Sequence, residues 1–250
     1  MKVSDVYDAI DAFAPFDAAE KWDNSGLLIG NPDSEAGSIL CTLDLDDSAL
    51  GYAVKNDIKL IVTHHPVMFS GIKRIRTDTA EGRIISTLIK NDISLIAAHT
   101  SLDKADRGVS FALAANVGLK DIHRAEEDTD GYLRLGTLET PLEGEALRQL
   151  AGQRLGDVVR MYGGEKIIKT VAVCGGAGGE YAYLAKKLGA DAYLTGEMRY
   201  HDSQSLALDG FCTLQAGHDA SEKPVLRLLA DILKQRLNTK YVYTVEGERI

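Results

Sequence analysis

The sequence predicts an α/β protein built as two layered α/β domains. Strand-like and helix-like segments alternate along most of the 250 residues, which is the pattern of a mainly parallel sheet covered by helices. An acidic, turn-forming stretch, Glu126-Glu127-Asp128-Thr129-Asp130-Gly131, interrupts that alternation near the middle. A hydrophobic content of 45 % is enough to fill one large or two small cores. The domains are therefore expected at 1–126 and 127–250, with the C-terminal strand free to return to the first.

Val3, Val6, Ile10 and Phe13 recur at helical spacing, and Pro15 marks where that helix has ended. Ser38 to Leu45 is rich in strand formers, and Asp46 to Asn56 reads as a helix. Lys59 to Thr63 is a buried strand that ends at His64-His65-Pro66. Thr79 to Lys90 is helical, with Ile84, Ile85, Leu88 and Ile89 as its apolar face. A strand from Ser94 to Ala98 ends at His99, and Gly108 to Val117 is again helical. The second set runs strand Leu133 to Leu138, helix Gly144 to Leu155, and strands near Asp157 to Met161 and Lys166 to Cys174. Helix Glu180 to Leu188, strand Ala192 to Thr195 and helix Asp202 to Leu208 follow. Strand Phe211 to Ala216 leads into His218, then a long helix runs from about Ser221 to Leu237, and Tyr241 to Val245 is a last strand.

The 37 acidic residues against 28 basic give a net charge of −9, which argues against non-specific nucleic-acid binding. The N-terminal Met1 to Asp5 turns acidic at once and does not read as a signal peptide. No window approaches the roughly 18 apolar residues of a membrane helix. Cys41, Cys174 and Cys212 form no CxxC pattern and read as buried thiols of a reducing compartment, so a cytoplasmic location is expected.

Potential metal ligands fall in three clusters: His64-His65, His99 to Asp103, and His218 to Glu222. Each follows a strand-like run, and imidazoles with carboxylates suit a divalent transition metal. Adjacent residues of a regular strand point to opposite faces, but at a strand end before Pro66 the backbone can turn, so His64 and His65 could each serve one of two ions. The competing reading is a polar corner with solvated histidines. Asp103 could bridge two cations, or cap a helix. His99 could ligate, orient a ligand or move a proton. His218 and Glu222 share a face if the helix has already begun; otherwise Ser221 or Asp219 caps it and Glu222 complements its dipole. Cys174 to Gly179 joins a strand to a helix, and lacking the lysine of a P-loop it reads as a tight turn before a phosphate cradle. Thr195 to His201 carries Glu197, Arg199 and His201, which could line a pocket or pair among themselves.

Taken together, Trp22-Asp23-Asn24-Ser25-Gly26-Leu27, Thr63-His64-His65-Pro66-Val67-Met68-Phe69, Ala98-His99-Thr100-Ser101-Leu102-Asp103, Thr195-Gly196-Glu197 with His201, and Gly217-His218 with Ser221-Glu222 resemble the Nif-three-like dinuclear metal-centre family, often labelled GTP cyclohydrolase I type 2 homologs. The motifs span residues 22 to 222 in the family's order. The resemblance implies two domains with two divalent metal ions per protomer in the cleft between them. Their ligands would be His64, His65, Asp103, His218 and Glu222, with Asp103 or Glu222 as a bridge. It leaves His99, Glu197 and His201 as candidates for orienting or proton-transfer roles, and gives the Asp23-Asn24 motif a turn and no chemistry. It also implies a homo-oligomer, a homohexameric toroid. His/carboxylate ligation admits zinc, iron, manganese, cobalt and nickel alike.

Two neighbouring divalent cations can activate water and clamp attacking and leaving oxygens, so the expected function is a metal-dependent hydrolase acting on a nucleotide or related phosphorylated small molecule. The alternative is a protein that holds or delivers metal, or a ring that scaffolds partners. Nucleic-acid handling through a ring is least favoured and would need basic residues such as Lys73, Arg74 and Arg76 to line a channel.

Overall fold

Two sheets, each with parallel strands at its centre, organise the chain; the computed structural model describes residues 1–244. Helix α1 (Val3–Asp11) buries Val3, Val6, Ala9 and Ile10 at helical spacing. After it come β1 (Gly26–Ile29), β2 (Ile39–Thr42), α2 (Asp47–Lys55), β3 (Leu60–Thr63), α3 (Ala80–Lys90), β4 (Ser94–Ala97) and the short α4 (Thr100–Lys104). Side chains start two of these helices: Asp46 accepts from Ala49 N at 2.7 Å, and Thr79 from Gly82 N at 3.2 Å. On α3 the core takes Ile85 and Leu88, while Ile89, at the rim of that arc, is 57 % exposed.

The chain continues through α5 (Val109–Asn116), β5 (Lys120–Arg124), β6 (Arg134–Glu143), α6 (Gly144–Leu155), β7 (Arg160–Tyr162) and β8 (Ile167–Cys174). A 3-10 turn precedes α7 (Ala182–Lys187), then come β9 (Ala192–Thr195), α8 (Tyr200–Leu208), β10 (Cys212–Gln215) and α9 (His218–Glu222). The long helix expected from Ser221 is broken: α9 begins at His218, and α10 (Pro224–Arg236) starts afresh at its proline, where a missing N–H costs nothing. The last strand is β11 (Val242–Thr244); Val245, included in the expected strand, lies outside the described residues.

Two compact units result, Met1–Ala105 with Leu226–Ile250, and Asp106–Val225. The sheet of the first has the order β1-β4-β3-β2-β11. Its β4, β3, β2 and β11 are mutually parallel, and β1 joins the edge antiparallel. The C-terminal strand thus pairs in the first unit, Val242 against Ile39. Leu40, Ile61 and Leu95 from the strands meet Leu50 and Leu88 from the helices in one fully apolar cluster. The sheet of the second has the order β5-β6-β8-β9-β10-β7, in which β8, β9 and β10 run parallel and the other three pair antiparallel.

The acidic stretch around 126–131 lies inside the second unit, not at an edge between 126 and 127. It is the turn between antiparallel β5 and β6, where buried Asp128 accepts from Asp130 N and Leu133 N at 3.1 and 2.6 Å. A hairpin turn and a linker draw on the same residues, so composition alone does not separate them. Cys41, Cys174 and Cys212 are all buried thiols, and burial pushes those of Cys41 and Cys212 up to about 12, which leaves them unreactive. Among the described residues no helix is long and apolar enough to cross a membrane.

Candidate metal centre

In the first unit, three adjacent parallel strands end together and deliver polar groups to one edge. That edge is where open α/β sheets gather function. His64 and His65 follow β3, His99 follows β4, and Asp44 comes two residues after β2. Pairing with the neighbouring chain persists past the strand, His64 N donating to Thr42 O and His65 N to Leu43 O. The backbone then turns enough that the two imidazoles lie side by side, their ring centres 4.9 Å apart.

Each of these imidazoles has its Nδ1 against an oxygen. His64 Nδ1 lies 2.8 Å from Ala98 O, His65 Nδ1 2.8 Å from Asp44 Oδ1, and His99 Nδ1 2.8 Å from Asp23 Oδ1. A carbonyl or carboxylate only accepts, so these partners place a proton on Nδ1, and in the neutral ring the lone pair is then on Nε2, the atom that can bind a cation. One ligand atom from each ring falls within 4.8 Å of those of the other two. His64 is 1 % exposed and its Nε2 faces Asp103 Oδ1 at 3.6 Å. Asp103 is carried there by α4, whose first turn starts at His99.

The second unit repeats the arrangement with fewer groups. Its parallel strands β8, β9 and β10 end at Cys174, Thr195 and Gln215, and Gly176, Glu197 and His218 follow within three residues. Helix α9 sets His218 and Glu222 four apart on one face, with His218 Nε2 3.2 Å from Glu222 Oε1. His218 Nδ1 lies 3.3 Å from Glu197 Oε1. Neither Ser221 nor Asp219 caps a helix here. Ser221 Oγ donates to His218 O and accepts from Gly176 N, and Asp219 pairs with Lys223.

These atoms fit a divalent cation. Two ligand atoms each about 2.1 Å from a common ion lie roughly 3.0 to 3.4 Å apart at octahedral to tetrahedral angles. The His218–Glu222 spacing falls in that range, and His64–Asp103 lies just above it. An imidazole nitrogen this close to a carboxylate needs a positive charge beside it, which a bound cation or a second ring proton supplies, so these groups can hold a metal ion.

The glycine-rich turn after β8 serves this carboxylate and not a phosphate. Gly175 N and Gly176 N are consumed by the hydroxyls of Ser110 and Ser221. Gly176 has φ +62°, and a Cβ there would stand 2.3 Å from Glu222 Oε1. The glycine makes room for the ligand.

Two carboxylates that sequence reasoning passed over brace the first unit. Asp44 holds His65. Asp23, given only a turn, has a fully buried side chain that accepts from His99, Asn24 N, Ser25 Oγ and both the N and Oγ1 of Thr100. Burial opposes its ionisation, but the hydrogen bonds from His99, Thr100 and Ser25 outweigh that and hold its carboxyl well below the usual range. His201 is exposed on α8 with its ring beside Tyr200, and among the described residues no hydrogen bond or ion pair joins it to His218, Glu197 or Glu222. Glu197 also borders a cavity of about 560 Å³ in the second unit, with Glu180, Arg199 and Asp202 on its walls. Lys73, Arg74 and Arg76 are exposed, Arg76 bidentate to Asp78.

Comparison with known proteins places this geometry. The family model described as Duf34/NIF3 (NGG1p interacting factor 3) matches residues 1–248. A Streptomyces coelicolor protein called GTP cyclohydrolase 1 type 2 homolog is 36 % identical over 234 residues, covering 89 % of this chain and 82 % of the relative. A Clostridium perfringens protein of the same name is 34 % identical over 254 residues, covering 99 % and 97 %. The crystal structure of a hypothetical protein from Staphylococcus aureus superposes with a TM-score of 0.91 at 28 % identity, over 99 % of this chain and 97 % of that one. On the whole-chain family match and on these relatives, the chain belongs to the Duf34/NIF3 family.

Proposed function

We propose that the chain holds two divalent metal ions through His64, His65, Asp103, His218 and Glu222, and uses them to hydrolyse a nucleotide or a related phosphorylated compound. One observation carries the reading. All four imidazoles near these strand ends have Nδ1 against an oxygen, and His64 and His218 turn Nε2 toward a carboxylate. The competing account, a doubly protonated ring on each of His64 and His218, would keep a charge at His64, which is 1 % exposed, with Asp103 as a partner 3.6 Å away, longer than a charge-assisted hydrogen bond.

When bound, such a pair of ions supplies Lewis acidity at the scissile centre and water activation at neutral pH. The chain's own residues supply the rest. Asp23 orients His99, whose Nε2 is thereby available to exchange a proton with substrate. Glu197, 3.3 Å from His218 Nδ1, favours a ring orientation that turns Nε2 toward Glu222. Arg199, on the wall of the cavity beside Glu197, offers a cation to a phosphate. The relatives' name suggests a purine nucleotide such as GTP as the compound opened. A homohexamer belongs to the same proposal, and light scattering of the purified protein reads it, a monomer removing that part.

The test is metal content by elemental analysis for wild type and His65→Ala, with turnover on a nucleotide panel for wild type and Asp103→Asn. The expected result is about two equivalents per protomer, fewer in His65→Ala, and metal-dependent turnover lost in Asp103→Asn. Two exchangeable equivalents without turnover would leave a metal-holding protein in place of a hydrolase. Less than one equivalent, unchanged in His65→Ala, would remove the metal centre itself.

A further inference from the structure

Beside His99 stand two aromatic side chains that the metal-centre reading does not use. Trp22, 62 % exposed, meets the His99 imidazole at 5.9 Å with its plane at 73°, and Phe69, 53 % exposed, meets it at 5.6 Å and 82°. Scattered exposed apolar residues need no explanation, but these two are held in place together. Asn24 Nδ2 donates to Met68 O at 2.6 Å, which ties the segment carrying Trp22 to the segment carrying Phe69. Asn24 N is in turn fixed on Asp23 Oδ1, the same oxygen that holds His99. One hydrogen-bonded knot therefore positions an indole, a phenyl ring and an imidazole from three separate segments.

Edge-on contact with His99 spends only the rim of one ring in each pair, and the exposure of Trp22 and Phe69 leaves ring face open to solvent. A ring face is sequence-tolerant apolar surface that recognises another planar ring by stacking. Its position is also specific, because His99 offers a ligand atom within 4.8 Å of those of His64 and His65. A planar group stacked here would hold the rest of its molecule at the edge of the imidazole cluster. Asp23 and Asn24, assigned a turn by sequence, are the frame of that arrangement.

We propose that Trp22 and Phe69 form the subsite for a planar heteroaromatic ring of the substrate, so that the ligand is a nucleotide or similar base-bearing phosphorylated compound and not a simple sugar phosphate. This rests on the hydrolase reading for its meaning, but its test does not need turnover. Trp22 is the one tryptophan of the chain, so fluorescence excited at the red edge, beyond the absorption of the ten tyrosines, reports this position alone. Guanosine 5′-monophosphate and adenosine 5′-monophosphate should quench it saturably, in metal-free and metal-loaded protein, while ribose 5-phosphate should not. Phe69→Leu should weaken that binding by about tenfold, and Phe69→Trp, followed by calorimetry, should restore it.

Equal quenching by ribose 5-phosphate, or unchanged affinity in Phe69→Leu, would overturn the proposal. So would the absence of saturable quenching in protein with its full metal content, a result that leaves the metal reading intact. Saturable base-dependent quenching in a protein that binds no metal would support the subsite while removing the hydrolase. If Trp22→Ala and Phe69→Ala shrink the assembly in light scattering and wild type shows no quenching, the pair belongs to a contact between copies of the chain instead.

Discussion

In the first unit the candidate ligands follow β3 and β4, with Asp44 after β2; in the second, Gly176, Glu197 and His218 follow β8, β9 and β10. Both units thus use the carboxyl ends of three adjacent parallel strands, where backbone direction brings residues distant in sequence to one edge. They differ in what holds the side chains there. The first braces its imidazoles with acceptors at 2.8 Å: a carbonyl for His64, Asp44 for His65 and Asp23 for His99. The second has one imidazole and a longer brace to Glu197 at 3.3 Å, and it seats Glu222 by leaving space at Gly176. Hydrogen bonds orient in one unit, and an absent side chain does so in the other.

The sharpest way to break that comparison is Gly176→Ala. The left-handed φ of +62° costs about 1 to 2 kcal/mol for any residue with a Cβ, and the new methyl would lie 2.3 Å from Glu222 Oε1. Elemental analysis should show about one equivalent of metal lost per protomer, and the melting temperature should fall by about 2 to 4 °C or more. Gly189→Ala is the matched control. Its φ is +79°, but nothing lies within 4 Å of an added Cβ, so it should lose similar stability and no metal. Metal loss in both variants would mean that backbone strain, and not the seating of Glu222, was being read.

A smaller effect is expected from the brace on His99. Asp23 is held ionised by His99, Thr100 and Ser25 against the opposing effect of its burial, so its folded pKa lies below its unfolded one. Its contribution to stability is present above the unfolded value of about 3.9 and is lost as pH falls below it toward the folded value. Urea midpoints of the metal-free protein should therefore drop on the acid side in wild type. Asp23→Asn should be less stable at pH 7, and its acid limb should be flatter. Parallel curves would show that Asp23 contributes by shape and not by charge.

These two carboxylates also mark where reading the sequence ran out. His64, His65, Asp103, His218 and Glu222 stood out because their residue types cluster after strand-like runs. Asp44 is one of 37 acidic residues with no local pattern, Asp23 stood in a motif that was given only a turn, and their partners lie 21 and 76 positions away. Only the register of the sheet joins them. The same limit hid β5, whose Lys120, Asp121, His123 and Arg124 are all exposed and show no alternation, and β1, four residues of which the first two end a motif. It also turned a hairpin between β5 and β6 into a domain edge. Strands with buried, branched residues such as Leu60 to Thr63 and Ala192 to Thr195 were legible because burial on both faces writes a continuous apolar run.

The smallest predicted difference compares the two braces directly. Asp44→Asn and Glu197→Gln each remove the charge beside an imidazole Nδ1 while keeping the side chain's shape. Losses at such supporting positions run from about 10- to 100-fold in metal affinity. Asp44 is 64 % exposed and Glu197 60 %, so solvent competes for both and each should sit at or below the lower end. Distance then decides the order. His65 Nδ1 has a full hydrogen bond to Asp44 at 2.8 Å, whereas His218 Nδ1 has only an ion-pair contact with Glu197 at 3.3 Å, so Asp44→Asn should weaken metal binding more in a chelator competition. If Glu197→Gln proves the costlier, the second unit depends on its brace more than the 3.3 Å spacing suggests, and distance is not what ranks the two supports.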